Sequence, residues 1–309
     1  MDVLITGGAG FIGRWVAKRF LDEGHDVTVL DNLSNGSMDN VNEFKPNPRF
    51  SFVDGSVTSQ KDVSRAFGKG KELCVHMAAQ INVQESLESP EKPLNENVIG
   101  TYNVLEECRK SNTKIVLVGT CMVYDLAAGR PISESHTVKP ASPYAATKLM
   151  AEELALSYHH GYGLPVVVTR PFNTYGPFQK SNSEGGVVSV FIKKQLEGRT
   201  LMVYGDGSQT RDLLYVEDCA DFIFRSSVSE KAVGQVINGG TGHDISINDL
   251  ALKICGKSGM IKHVQHIHQQ SEIMRLVCDC SKAKRLLGWS PSVGLDEGIK
   301  RTREWISKQ

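Results

Sequence analysis

The chain has 309 residues, and its 35 Lys+Arg balance 35 Asp+Glu, so the formal net charge is zero. That balance argues against a protein that coats nucleic acid or an anionic membrane through bulk charge. Hydrophobic residues make up 40% and charged residues 23%, which is too apolar for disorder, and no apolar run approaches the roughly 18 residues of a membrane span. The length suggests about two domains. Seven cysteines are scattered without a framework, and no basic region precedes the first apolar run. Reduced thiols and a cytoplasmic address are therefore expected, with no signal peptide.

In chain order, short apolar runs occur at Val3–Ile5, Val27–Leu30, Phe50–Val53, Leu73–Val75 and Ile115–Val118. Several are apolar throughout, as strands covered on both faces should be. Helical patterns lie between them at Phe11–Asp22, Lys61–Phe67 and Leu94–Lys110. This rhythm predicts a parallel sheet with right-handed crossovers. A long helix is expected from Pro143 to about His160, with Ser142 as N-cap and Gly161 and Gly163 at its end. A sixth strand follows at Val166–Arg170, and a seventh, Gln235–Asn238, could return to the same sheet. The predicted architecture is α/β. A Rossmann-type doubly wound sheet takes 1–170 with returning segments at about 211–238. A smaller, partly discontinuous substrate domain takes 171–210 and 239–309. The cleft is expected between them, at the carboxyl ends of the strands.

The first strand runs into Thr6-Gly7-Gly8-Ala9-Gly10-Phe11-Ile12-Gly13. Such a loop needs one glycine for its turn, one for close approach to a pyrophosphate and one for helix packing. The phosphates then meet a helix N-terminus, where free N–H groups and the dipole favour negative charge. The second strand ends in Asp31, eighteen residues after Gly13. A carboxylate there can accept from both adenosine ribose hydroxyls and would repel a 2′-phosphate. No Arg or Lys follows in Asn32-Leu33-Ser34-Asn35-Gly36, so NAD is expected rather than NADP. A tight turn before a solvated Asp is the plainer reading, and the strand, loop and helix together outweigh it.

Tyr144 and Lys148 are four residues apart on the long helix and share one face. A free tyrosine ionises near pH 10, so a nearby ammonium, helped by a positive nicotinamide, is expected to stabilise the phenolate. The same lysine could hold the nicotinamide ribose. Thr120 follows the Ile115–Val118 strand, where its hydroxyl could share the substrate's proton. Alone, Tyr-x-x-x-Lys is an ordinary surface pattern; downstream of a dinucleotide loop, the functional reading prevails.

With these residues the sequence resembles the extended short-chain dehydrogenase/reductases. Within them it is similar to the NAD-dependent sugar-nucleotide epimerase/dehydratase family, and most to its UDP-hexose 4-epimerases. The stretches that carry the likeness are TGGAGFIG (Thr6–Gly13), LDNLSNG (Leu30–Gly36), VHMAAQ (Val75–Gln80), NENVIGT (Asn95–Thr101), YAATK (Tyr144–Lys148), RPFNTYGP (Arg170–Pro177), YGDGSQTRDLLYVEDCA (Tyr204–Ala220) and SKAKRLLGW (Ser281–Trp289). They span nearly the whole chain. The resemblance implies an NAD site formed by Gly7, Gly10, Phe11 and Ile12, by Asp31, Asn32, Ser34, Asn35 and Gly36, and by Ser56 and Val57. It adds Met77, Ala78, Ala79, Gln80 and Asn97, then Tyr144, Lys148 and Pro171, with Pro171 near the nicotinamide. It implies Thr120, Tyr144 and Lys148 as catalytic residues. For the substrate it implies Thr120, Tyr144, Asn173, Val188, Tyr204, Arg211, Gln269 and Arg275. Asn173 would touch the diphosphate, Tyr204 the nucleobase, and Arg211 a phosphate, which suits a guanidinium fork. The plainer alternatives are an Arg211–Asp212 ion pair and a turn role for Asn173.

Relatives that dehydrate a 4-keto sugar typically carry an acid and then Glu where this chain has Cys121 and Met122. Removing water across C5 and C6 needs a base and an acid, and methionine transfers no proton. The chemistry left is reversible oxidation at one carbon, as in the 4-epimerases, with UDP-glucose or UDP-galactose as the expected substrate type. Departures from the family pattern lie at Ser56, the usual acid position near adenine, and at Gln269, which replaces an arginine that commonly clamps the diphosphate. Leu276 leaves glucose-type and N-acetylglucosamine-type sugars open. The alternatives are a 4-ketoreductase, an epimerase acting on UDP-glucuronate, UDP-N-acetylhexosamine or a non-UDP sugar, and a dinucleotide-sensing protein without catalysis. The last would have a broken Tyr/Lys pair. His263, His266, His268 and Cys278-x-Cys280 lack matched metal spacing, so no metal is expected. The resemblance also implies a homodimer across helices Leu94–Lys110 and Pro143–His160.

Overall fold

The alternation of apolar runs and amphipathic helices builds one parallel sheet and a second, smaller lobe. The computed structural model describes residues 1–68, 70–125, 129–181, 186–256, 258–265 and 273–309. The first half runs β1 (Asp2–Thr6), α1 (Phe11–Asp22), β2 (Asp26–Asp31), β3 (Phe50–Asp54), α2 (Gln60–Phe67), β4 (Leu73–His76), α3 (Val83–Glu88), α4 (Glu91–Pro93), α5 (Gly100–Ser111), β5 (Lys114–Val118), α6 (Pro143–Tyr162) and β6 (Val166–Pro171). Then come β7 (Asn173–Tyr175), α7 (Val187–Leu196), β8 (Leu201–Tyr204), β9 (Thr210–Tyr215), α8 (Val216–Val228), β10 (Val236–Gly239), β11 (Asp244–Ser246), α9 (Ile247–Cys255), β12 (Ile261–Val264), β13 (Arg275–Leu276), α10 (Ser281–Leu287) and α11 (Leu295–Ile306).

Seven strands pair in the order β10-β6-β5-β4-β1-β2-β3, all parallel. The returning strand thus takes the edge beside β6. Along β1, Val3 and Ile5 face one core with Phe20 and Phe222, while Leu4 faces the other with Val104, Leu105 and Ala155. That two-residue alternation between two dry layers explains why the strands read as unbroken apolar runs. Each fully buried Val, Leu or Ile contributes about 1.5–3 kcal/mol. The order in which strands add to the sheet reverses between β1 and β4, which opens a crevice at their carboxyl ends.

Two helices differ from expectation. Residues Leu94–Ile99 form a π-helical segment ahead of α5, so the predicted single helix has a widened first part. The long helix α6 runs through Gly161 to Tyr162. It ends at Gly163, whose φ of +69° lets its N–H reach the His159 carbonyl. Its start is as read: the Ser142 hydroxyl accepts from the Ala145 amide at 3.2 Å, and Pro143 opens the first turn.

The second lobe holds a four-stranded sheet of β7, β9, β11 and β13, a β8–β12 pair, and a core including Tyr175, Phe191, Leu201 and Leu250. Strand β9 (Thr210–Tyr215) lies in this second sheet. The return to the first core therefore begins at α8, which contributes Cys219, Phe222 and Ile223 to it. Trp289, beyond α10, also packs there, its ring 5.0 Å from Phe222.

Candidate active site

The glycine loop is shaped by contacts that no side chain would permit. A Cβ on Gly7, whose φ is +72°, would stand 2.7 Å from the Ala78 amide nitrogen, and one on Gly13 would stand 2.1 Å from the Gly7 carbonyl oxygen. Gly10 caps α1 without a side-chain bond, so the first-turn N–H groups are open to an anion. Asp31 seals the loop from the next strand. Its oxygens accept the Ala9 amide at 3.0 Å and the Leu33 amide at 2.8 Å. Burial raises its pKa, and the two amides oppose that rise.

The crevice encloses about 540 Å³. Gly7, Gly10, Phe11 and Ile12 line one end, with Asp31, Asn32, Ser34, Asn35, Gly36, Ser56 and Val57. Met77, Ala78 and Ala79 line its floor, and Thr120, Tyr144, Lys148, Pro171 and Asn173 line the other end. A glycine cradle, an open helix terminus and a buried carboxylate are the donor and acceptor set a dinucleotide requires. The Asn173 side-chain oxygen is buried without a partner, so a donor from a bound molecule would complete it.

At the far end, the Thr120 hydroxyl lies near the Tyr144 phenol and acts to lower its pKa. Thr120 also accepts the Met122 amide at 3.2 Å. Among the protein's own groups, none of those acting on Tyr144 offsets its burial. Burial pushes the phenol up to about 12, with the Thr120 hydroxyl opposing the rise. The Lys148 ammonium donates instead to the Val118 carbonyl at 2.6 Å, and burial lowers it to about 8. Burial thus favours the protonated phenol. Cys121 and Met122 both line the crevice. Burial lifts the Cys121 thiol to about 12, so it is no base at neutral pH.

His76 lies behind the loop, fully buried, with Nδ1 2.7 Å from the Thr6 hydroxyl and Nε2 3.0 Å from the Thr101 hydroxyl. The Thr6 oxygen already accepts the Met77 and Ala78 amides. Its own proton therefore goes to Nδ1, leaving Nε2 as donor to Thr101. Burial drops the imidazole pKa to about 3, so it stays neutral.

Several expected residues lie elsewhere. Gln80 and Asn97 do not line the crevice. The Asn97 side chain accepts the Gln80 amide at 2.8 Å and donates to the Gln80 carbonyl at 3.2 Å and the Thr147 hydroxyl at 3.1 Å. Together they brace the wall from behind. Val188 is buried in the second lobe's core. Tyr204 is 46% exposed at the end of β8. Arg211 donates to the Thr210 and Ile273 carbonyls, both at 2.8 Å. Among the described residues, Arg211 and Asp212 do not form an ion pair. Asp212 is buried, accepting from Thr241, Gly242 and Cys278. Arg275 pairs with Asp244 at 2.9 Å and donates to the Gly129 carbonyl at 2.6 Å, away from the crevice. Gln269, with His266 and His268, falls outside the described residues. Ile81, Val83, Glu96 and Phe172 also line the crevice and were not foreseen. Glu96 sits in the π-helical segment, which a regular helical period does not reveal.

The sequence family described as GDP-mannose 4,6 dehydratase matches residues 4–302. The chain belongs to that family of sugar-nucleotide epimerases and dehydratases. It is 36% identical over 307 residues to a putative UDP-glucose 4-epimerase of Methanocaldococcus jannaschii, covering 98% of each chain. Its fold matches the X-ray structure of Pal from Bacillus thuringiensis with a TM-score of 0.97 and 51% identity, over 100% of this chain and 99% of that one. It matches the UDP-glucose 4-epimerase of Thermotoga maritima, solved with UDP-glucose, with a TM-score of 0.93 and 31% identity over 100% and 99% of the two chains. Among the described residues no helix is long and apolar enough to cross a membrane.

Proposed function

We propose that this protein interconverts the C4 epimers of a nucleotide hexose, UDP-hexose of the glucose/galactose type foremost, through a transient 4-keto sugar. One observation carries the reading. The crevice gathers Thr120, Tyr144 and Lys148, while the neighbouring positions hold a protonated thiol and a thioether, Cys121 and Met122. Elimination of water needs an acid and a base at that place, whereas oxidation and return at one carbon need only Tyr144. The names borne by the M. jannaschii and T. maritima relatives support the same reading.

NAD is the cofactor. Gly7, Gly10, Phe11 and Ile12 would hold its pyrophosphate, Asp31 its adenosine ribose, and Met77, Ala78 and Pro171 its nicotinamide end. Bound there, it supplies a reversible hydride acceptor and a positive ring beside the phenol. Tyr144, ionised in that setting, takes the proton of the C4 hydroxyl and returns it once the sugar has presented its other face. Thr120 shares that proton and orients the hydroxyl, and Lys148 adds positive charge nearby. Asn173 contributes its unpartnered oxygen toward the substrate. The nucleotide is assigned to the second lobe, whose sheet holds β7, β9, β11 and β13.

We place a two-fold homodimer interface on α5 and α6, where Tyr102 is 45% and Met150 48% exposed. We place the reaction in the cytoplasm, where the seven free cysteines stay as thiols. Incubation of the purified protein with UDP-, dTDP-, GDP- and CDP-sugars, without added cofactor, tests the assignment by NMR of the products. Inversion at C4 with no net change in NADH is expected. Turnover that appears only when NAD(P)H is added, and consumes it, would instead indicate a ketoreductase, and loss of water a dehydratase.

A further inference from the structure

One turn beyond Lys148, helix α6 carries a second ionisable side chain with no assigned role. Glu152 is completely buried. Its Oε2 accepts two hydrogen bonds from Arg170, from Nε at 2.9 Å and from a terminal nitrogen at 2.6 Å. Arg170 is itself 4% exposed and sits at the end of β6, one residue before the crevice-lining Pro171. Its guanidinium lies 4.8 Å over the Tyr124 ring, whose hydroxyl donates to Asn238 at 2.7 Å. The fork is thus fixed from β10 as well as from α6.

The other carboxylate oxygen, Oε1, presses on the turn that presents Thr120. A Cβ on Gly119 would stand 2.0 Å from that oxygen. Gly119 is also tied to β6, its amide donating to the Thr169 carbonyl at 2.7 Å. Glycine at 119 is therefore the space the carboxylate needs. Oε1 has no hydrogen-bond partner of good geometry; burial raises the Glu152 pKa, and Arg170, Lys148 and the Thr120 amide oppose that rise.

The charged and titratable groups that reach Lys148 are Glu152, from its own helix, and His76, from β4. Tyr144 stands one turn earlier on α6. Strand β5 supplies the Val118 carbonyl, and β6 supplies Arg170, which is committed to Glu152. His76 is neutral, so Glu152 is the one anion acting on the lysine. An isolated ammonium in such a dry place gives up its proton.

Resting on the reading of Tyr144 and Lys148 as the reacting pair, we propose that Glu152, clamped by Arg170 and seated against Gly119, is a positioning residue that keeps Lys148 charged within the crevice. It touches neither substrate nor cofactor. It acts through the lysine and through the Gly119–Thr120 turn.

Side-chain NMR of nitrogen-15 lysine in the NAD-free protein tests this, with the Lys148 signal assigned by its loss in Lys148→Arg. Burial brings the wild-type ammonium down to about 8, with Glu152 acting to raise it. In Glu152→Gln the midpoint should fall by about one pH unit or more. An unchanged midpoint overturns the proposal. Should the single variant fail to fold, because Arg170 is left unpaired, Glu152→Gln with Arg170→Gln removes both charges at nearly constant shape. A downward shift is again expected, smaller because the Arg170 cation is lost as well, and its absence overturns the proposal equally. A merely structural role for the pair would leave the lysine's titration in a folded variant where it was. Tyr144→Phe that remained fully active would sink the functional reading while leaving this titration to decide the role of Glu152.

Discussion

The Asp31 carboxylate accepts the Ala9 amide at 3.0 Å, so the end of the second strand and the glycine loop are one unit. Replacing Asp31 with Ser shortens the acceptor and removes the charge that would repel a 2′-phosphate. NAD affinity should fall about ten- to a hundredfold, consistent with losing hydrogen bonds to a charged group. NADP affinity should stay level or rise. Fluorescence titration with both dinucleotides measures the two changes. An unchanged preference for NAD would contradict the role given to Asp31.

Gly13→Ala tests the cradle itself. The added carbon meets the Gly7 carbonyl oxygen at 2.1 Å, and both are backbone-bound. The variant should lose about 1–3 kcal/mol of stability, the usual cost of overpacking, and should be isolated without dinucleotide. Urea unfolding and the absorbance of the purified protein report the two effects.

The buried imidazole of His76 gives a pH dependence with a definite sign. Its folded pKa of about 3 lies below the ordinary value of 6.5. Below pH 6.5 the unfolded chain binds a proton that the folded chain refuses. Its contribution is therefore fully present above about 6.5 and is lost as pH falls toward about 3, at about 1.4 kcal/mol per pH unit. His76→Gln removes the titration, so its unfolding free energy should fall less between pH 6.5 and 5. Equal slopes in urea titrations at the two pH values would show that His76 does not carry the effect.

What the sequence made legible was local. Unbroken apolar runs marked the strands, glycine spacing marked the loop, and Ser142-Pro143 marked the start of the long helix, because each is written within a few residues. Distant partners were not legible. Arg211 is held by the Ile273 carbonyl and Arg275 by Asp244, through the pairing of β13 and β11 with β9. No spacing rule announces those bonds. Asn97 turns from the crevice to Gln80 and Thr147 because a π-helical segment, not a regular helix, carries it. The protonated state of Tyr144 also escaped, since burial is a property of the packed chain and not of the Tyr-x-x-x-Lys spacing.

The exposed faces of α5 and α6 lead to a prediction about assembly. Tyr102→Glu with Met150→Glu places two charges on surfaces that are 45% and 48% exposed in the single chain. Light scattering should show the wild type at twice the chain mass and the variant as a monomer. An identical mass for both would move the interface elsewhere.

The reacting phenol is tested most simply by removing one oxygen. Tyr144→Phe should retain NAD and lose about a hundredfold or more in turnover, the usual worth of general acid–base catalysis. Thr120→Val should lose less, because the phenol remains. Both are read by NMR time courses with UDP-glucose.

The account turns on hydrogen leaving and rejoining the same sugar carbon. UDP-glucose carrying deuterium at C4, incubated with the protein in ordinary water, tests that directly. Inverted product that keeps its deuterium at C4 is the result expected. Label released to water, or product with unaltered C4 stereochemistry, would contradict it.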